Sequence, residues 1–213
     1  MEILDLVRFA PVSFYILLIT VLISLASLYN EGIQQQLILH PYTLVKGQRP
    51  YSIISSGFIH GDFGHLIFNA ISFYYFCPLV ETAFASFTSY GHVLFAIMYV
   101  SGIIISDLVS VYRNQNNAGY FSLGASGAIS AALFSSILLV PDIKVGIIFL
   151  PIPIPGPIFA ILYVIFSIYS ARSRRDNINH EAHLFGALYG LIFTLIAIPE
   201  SIMIFRTYLA KYI

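Results

Sequence analysis

The stretch Gly124-Ala125-Ser126-Gly127-Ala128-Ile129-Ser130-Ala131-Ala132-Leu133-Phe134-Ser135-Ser136-Ile137-Leu138-Leu139-Val140 carries no charge from end to end and stops at Pro141. Such a run is a candidate membrane helix, which needs about 20 predominantly apolar residues, or about 17 at the short end. Small residues crowd its beginning and aliphatic ones its end, so a neighbouring backbone can come close where Ser126 stands. Gly124 and Gly127 bracket that serine and allow a tight turn into the helix.

The rest of the chain has the same character. Apolar residues make up 58% and charged residues 9%, with mean hydropathy +0.85, against about 25% charged residues in soluble domains. A single water-soluble core is excluded. Lys plus Arg and Asp plus Glu number ten each, so no basic stripe is available for nucleic acid, and partners are expected to be apolar or membrane-embedded. Cys77 is the only cysteine, which rules out a disulfide framework and a cysteine metal cluster.

Breakers divide the chain into six candidate spans, approximately 11–29, 65–80, 91–111, 126–140, 157–171 and 182–199, within one membrane domain over 1–213. An all-α polytopic bundle is expected. The stretch from Phe14 to Leu28 follows Arg8 but lacks a small-x-small cleavage pattern, so it reads as a retained first span. The connection from Asn30 to about Gly64 is too apolar for a solvated linker and is expected to lie partly in the membrane interface. In Pro151-Ile152-Pro153-Ile154-Pro155 each proline removes a donor, so Val145 to Gly156 reads as an extended connection, with Pro157 in the first turn of the fifth span.

Polar side chains are costly in hydrocarbon, by about 2.5 to 3.5 kcal/mol for a mid-helix charge on insertion scales, so those present are functional candidates. They are His60, His65, Asn69, Glu81, His92, Asp107, Ser126 and His183. His65 and Asn69 open the second span, Ser126 the fourth and His183 the sixth. Even-numbered spans enter from one face, so these residues fall at similar depth on one side. A serine hydroxyl becomes a useful nucleophile when a base takes its proton, and histidine suits that task. The oxyanion of a tetrahedral intermediate needs donors; His65, Asn69 and the Ser126 backbone N–H could supply them. His65 and Asn69, four apart, share a helical face. Gly186 and Gly190 form a small-xxx-small face that could bring the sixth span against the fourth.

A lone serine in a membrane helix ordinarily hydrogen-bonds to a neighbour; the flanking glycines and His183 argue for more. Gly124 to Ala128 lacks the final glycine of a G-x-S-x-G elbow, and no strand precedes it. His180-Glu181-Ala182-His183 is one residue short of H-E-x-x-H, so no metal is expected, and His180 reads as a loop residue near the cap of the site. Asp107 is expected to meet headgroups or a backbone partner. A transporter using His65, Asp107 and His92 has no continuous path.

Taken in order, His60, His65 with Asn69, Gly124-Ala125-Ser126-Gly127, and Ala182-His183 with Gly186 and Gly190 resemble the rhomboid family of intramembrane serine proteases. Arg49 in the first loop and Cys77-Pro78-Leu79-Val80-Glu81 are similar as well. The resemblance implies a six-helix bundle with Ser126 as nucleophile and His183 as base, and an oxyanion hole of His65, Asn69 and Ser126. Structural roles fall to His60, Arg49, Glu81, Gly124, Gly127, Gly186 and Gly190. It implies a multi-pass integral membrane protein, in the inner cell membrane if bacterial, that acts on transmembrane substrates without a cofactor. The fifth helix would gate the site and the loop before the sixth would cap it. The chain departs from the family at Ser130, where an aromatic usually supports the histidine. With the family's N-inside orientation, Arg8, Lys144, Arg206 and Lys211 face the cytoplasm and Lys46, Arg49, Arg113, Arg172, Arg174 and Arg175 face away, opposite to the positive-inside bias. The rival class is a non-catalytic protein of this fold that binds and chaperones membrane helices.

Overall fold

The computed structural model describes residues 3–147, 150–173 and 179–212. In chain order these form α1 (Ile3–Phe9), α2 (Pro11–Tyr29), three short helices α3 (Glu31–Leu37), α4 (Pro41–Leu44) and α5 (Ser52–Ser55), then the long α6 (Phe63–Phe87) and α7 (Gly91–Asn114). They continue with α8 (Ser126–Leu139), strands β1 (Lys144–Ile147) and β2 (Leu150–Pro155), then α9 (Gly156–Ser173), α10 (His180–Ala197) and α11 (Ser201–Leu209).

The organising element is α8. Every residue from Gly127 to Leu139 is buried, because α6, α7 and α10 surround it and α9 and α11 close the remaining side. A helix that is apolar all round belongs in an interior, which is why this stretch shows no polar face. Ala128, Ile129, Ala132 and Leu139 join a core with Phe73, Phe84, Phe95, Met98 and Tyr99. Leu133, Phe134 and Ile137 join a second cluster with Val145 and Ala187, against which Tyr163 and Phe205 pack.

The outer surface has the opposite pattern. Leu18 and Leu22 on α2, Ile67 and Ile71 on α6, Ile161 and Ile165 on α9 and Ile196 on α10 are exposed. That much apolar surface suits contact with lipid rather than water. Among the described residues four helices, α2, α6, α7 and α10, are long and apolar enough to cross a membrane; α8 and α9 are apolar and shorter.

Several boundaries differ from the sequence-based expectation. α6 extends to Phe87 through Pro78, since neighbouring groups in a membrane bundle can satisfy the carbonyl one turn earlier that a proline frees. The single extended connection after α8 is instead an antiparallel hairpin, with Lys144 opposite Pro155, Val145 opposite Ile154 and a bulge between Val145 and Ile147. A two-stranded sheet has only edges, where prolines are tolerated. The described residues are therefore mostly helical, as expected, with one two-stranded hairpin added. The C-terminal segment is a separate helix, α11, set off by Pro199. Arg174 and Arg175, with part of the loop before α10, lie outside the described residues.

Candidate active site

Ser126 is the first residue of α8, and the turn leading to it is fixed by backbone contacts. Gly124 has φ of +115°, a region L residues rarely enter, and its N–H donates to the Ser56 carbonyl at 2.9 Å. Two residues earlier Ser122 exchanges backbone hydrogen bonds with Leu39, at 3.0 and 3.1 Å. Ala125 makes no side-chain cap, so the first N–H groups of α8 lack partners within the helix and present the positive end of its dipole.

His183 lies in the first turn of α10, and its Nε2 is 2.7 Å from the Ser126 Oγ. The glycines explain the approach. A Cβ on Gly186 would sit 2.1 Å from the Gly127 carbonyl oxygen, and one on Gly190 2.1 Å from that of Ala131. α8 and α10 therefore touch backbone to backbone one and two turns beyond His183, the nearer contact lying beside Ser126. On the third side, a Cβ on Gly127 would strike the Ser106 hydroxyl of α7 at 2.1 Å.

His65 reaches the same turn from α6, which Asp62 caps by accepting the His65 N–H at 2.8 Å. Its ring lies over Gly124, where a Cβ would be 2.9 Å from Cε1 and 3.0 Å from Nε2. Asn69 is buried one turn on, but its amide donates to the His65 carbonyl at 2.9 Å. With His60, Ala125 and Ile129 it lines a cavity of about 10 Å³. His65 thus stands beside the serine's turn, while the Asn69 amide is engaged within its own helix.

His60 is fully buried, its ring edge-on to His65 at 4.9 Å. Its Nδ1 is 2.8 Å from the Ser24 hydroxyl, whose proton goes to the Phe58 carbonyl. Nδ1 must then be the donor, which leaves Nε2 the unprotonated nitrogen. Burial, then the neighbouring His65, lowers the His60 pKa from its ordinary 6.5 to about 4.

Glu81 and Arg49 lie away from the serine. The fully buried Glu81 carboxylate accepts the Val12 and Ser13 N–H groups at 3.0 and 2.6 Å and contacts His92 Nδ1 at 2.7 Å, so it joins α6 to the start of α2. Arg49, with φ of +50°, donates to the Gln35 carbonyl and, at 3.5 Å, to the Thr43 hydroxyl, holding the first loop together.

Three features lie beyond the sequence-based expectation. Ser130 donates to the Ser126 carbonyl at 2.8 Å and meets the Tyr163 hydroxyl of α9 at 2.7 Å. His180 is not a loop residue but the buried first residue of α10, its ring 5.9 Å from that of His183 and backed by Phe166 at 5.6 Å. Asp107 is buried, and its partner is a side chain: it accepts from the Ser122 hydroxyl at 3.1 Å. Asn179 caps α10 by accepting the Ala182 N–H, and an asparagine before an apolar run was the available signal for it; the Tyr163 and His180 contacts join different elements and leave no local signature. Among the described residues, no three His, Cys, Asp or Glu side chains are grouped to hold a metal ion.

A family model for the rhomboid domain matches residues 47–200. The chain belongs to the rhomboid family. The match runs from the first loop to just past α10 and so includes His60, His65, Asn69, Ser126 and His183. Among curated rhomboid relatives, the chain is 28% identical over 162 residues to the RHOMBOID-like protein 12, mitochondrial, of Arabidopsis thaliana, covering 69% of this chain and 46% of that protein. It is 29% identical over 141 residues to the Presenilin-associated rhomboid-like protein A, mitochondrial, of Danio rerio, covering 65% of this chain and 35% of that protein. The chain thus spans less than half the length of either relative. Family and apolar helices together make it an integral membrane protein of the rhomboid family.

Proposed function

We propose that this chain is an intramembrane serine endopeptidase acting through a Ser126/His183 dyad. The contact of 2.7 Å between Ser126 Oγ and His183 Nε2 carries the reading; it is within reach for a base to take the hydroxyl proton. Membership of a family that includes intramembrane serine proteases supports it.

In this reading the Ser126 oxygen attacks the carbonyl carbon of a peptide bond as its proton passes to His183 Nε2. The carbonyl electrons move to oxygen, which faces the uncapped N–H groups opening α8 and the His65 ring. Collapse of the intermediate breaks the C–N bond, and His183 returns the proton to the leaving amine. Water then attacks the acyl-serine with His183 again as base, releasing the acid and restoring Ser126. Asn69 joins the oxyanion hole only if its amide turns away from the His65 carbonyl. His180, edge-on to His183, takes the supporting place that the aromatic missing at Ser130 would hold.

The proposed topology has six spans, with α8 and α9 added to the four longer helices. α8 is short because it is encased. The substrate would be a transmembrane protein whose helix unwinds locally, since a helical amide is shielded by its own hydrogen bonds. Small or helix-breaking residues near the scissile bond are expected. The membrane is the inner cell membrane if the source is bacterial; both named relatives are mitochondrial.

The test is covalent labelling of the detergent-purified chain with a fluorescent fluorophosphonate, beside Ser126→Ala and His183→Ala. Wild type should label and both variants should not. Folded wild type that neither labels nor cleaves transmembrane substrates in liposomes would overturn the protease reading in favour of a helix-binding protein.

A further inference from the structure

The beginning of α10 is capped by the Asn179 side chain. Asn179 Oδ1 accepts the Ala182 N–H at 3.1 Å, capping the helix three residues before His183. The Asn179 amide nitrogen faces three hydroxyls, those of Ser110 at 2.7 Å, Tyr120 at 3.3 Å and Ser122 at 3.4 Å. Ser122 gives its only proton to the buried Asp107 carboxylate at 3.1 Å, so towards Asn179 its oxygen is an acceptor.

These contacts join three parts of the molecule. Ser110 and Asp107 belong to α7. Tyr120 and Ser122 belong to the loop that ends at Ser126, and Ser122 is pinned through its backbone to Leu39. Asn179 belongs to the helix that carries His183. A second, more exposed link between α7 and α10 is the Arg113–Glu181 ion pair. The Gly186 and Gly190 contacts set the distance between α8 and α10, yet contacts along one line leave a helix free to rock about that line. A second fixed point at its first turn removes that freedom.

We infer that Asn179 is a positioning residue, which, backed by Asp107 through Ser122, locks the serine's loop and the histidine's helix to the same end of α7 and so holds Ser126 and His183 in register. The inference rests on the protease reading of those two residues.

The experiment uses the full chain in detergent and follows fluorophosphonate inactivation kinetics together with hydrogen exchange of residues 118–126 and 180–190. In Asn179→Ala, kinact should fall about tenfold or more, as expected when reacting groups lose alignment, with KI unchanged, and exchange should rise in both segments. Asn179→Asp keeps the capping oxygen but has no donor; its α10 amides should stay protected while residues 118–126 loosen and kinact falls. If Asn179→Ala loosens α10 alone, or Asn179→Asp labels at the wild-type rate with both segments protected, Asn179 is an ordinary cap and the inference is overturned. Should Asn179→Ala fail to fold, Asn179→Asp decides alone. If wild type does not label but Asn179→Ala still loosens both segments, the tether stands and the protease reading fails.

Discussion

Gly186 and His60 show how much this molecule asks of single residues. A methyl on Gly186 would lie 2.1 Å from a backbone oxygen that cannot yield without moving α8. Gly186→Ala is therefore expected to cost about 1–3 kcal/mol, in the range of overpacked cores, and to abolish labelling by parting Ser126 from His183. At Gly102 the nearest atom to an added methyl is at 3.4 Å, so Gly102→Ala should leave both unfolding temperature and labelling near wild type. His60 makes stability depend on pH. Its folded-state pKa of about 4 is below the unfolded value of 6.5, so its contribution is complete above about pH 6.5 and is lost as pH falls through about 4. A shift of that size corresponds to something on the order of 3 kcal/mol. Unfolding temperatures should fall across this window in wild type and less steeply in His60→Asn. At this scale the sequence was legible where a polar residue interrupts an apolar run, as Ser126, His183 and His65 do. It was not legible for Ser130, whose meaning depends on a tyrosine on another helix.

Among the longer helices, α9 has the thinnest attachment. Ile158, Ile161, Leu162 and Ile165 are exposed, while Tyr163 packs on Phe134 and Phe159 and bonds to Ser130. Tyr163→Phe removes that bond at little change in volume, for a cost of about 0.5–1.5 kcal/mol. Hydrogen exchange should then quicken along α9 while α8 keeps its protection; equal loosening of both would show that α9 is not a separable unit. The long helices could be read from hydropathy because lipid demands unbroken apolar runs with internal backbone bonding. The hairpin could not. Its prolines rule out a helix, but which strand pairs with which depends on contacts made only after the helices assemble. The same holds for α3, α4 and α5, short helices with buried Leu39 at the joint between α3 and α4 and buried Ile59 between α5 and α6.

On the scale of the whole molecule, a fully buried helix is ringed by others, and polar clusters tie the ring at both ends. Glu81 joins α6 to the first turn of α2, and the Asn179 group joins α7 to α10 near Ser126. Scarcity of charge made the class of molecule evident from composition, and the order of the motifs made the family evident; the two ties were hidden because each joins residues about 55 to 70 positions apart. α8 has a further consequence. Its 14 residues span about 21 Å at 1.5 Å per residue, some 9 Å less than the roughly 30 Å of bilayer hydrocarbon. In the proposed six-span topology its far end, which runs into Asp142 and Lys144, would stand at an aqueous boundary, and the deficit would fall at the Ser126 end. In the proposed reading the molecule works as a ruler: the bond it meets in a partner helix is selected by depth below the membrane surface before any side chain is read. A change in lipid thickness would then move the point of attack along the same partner.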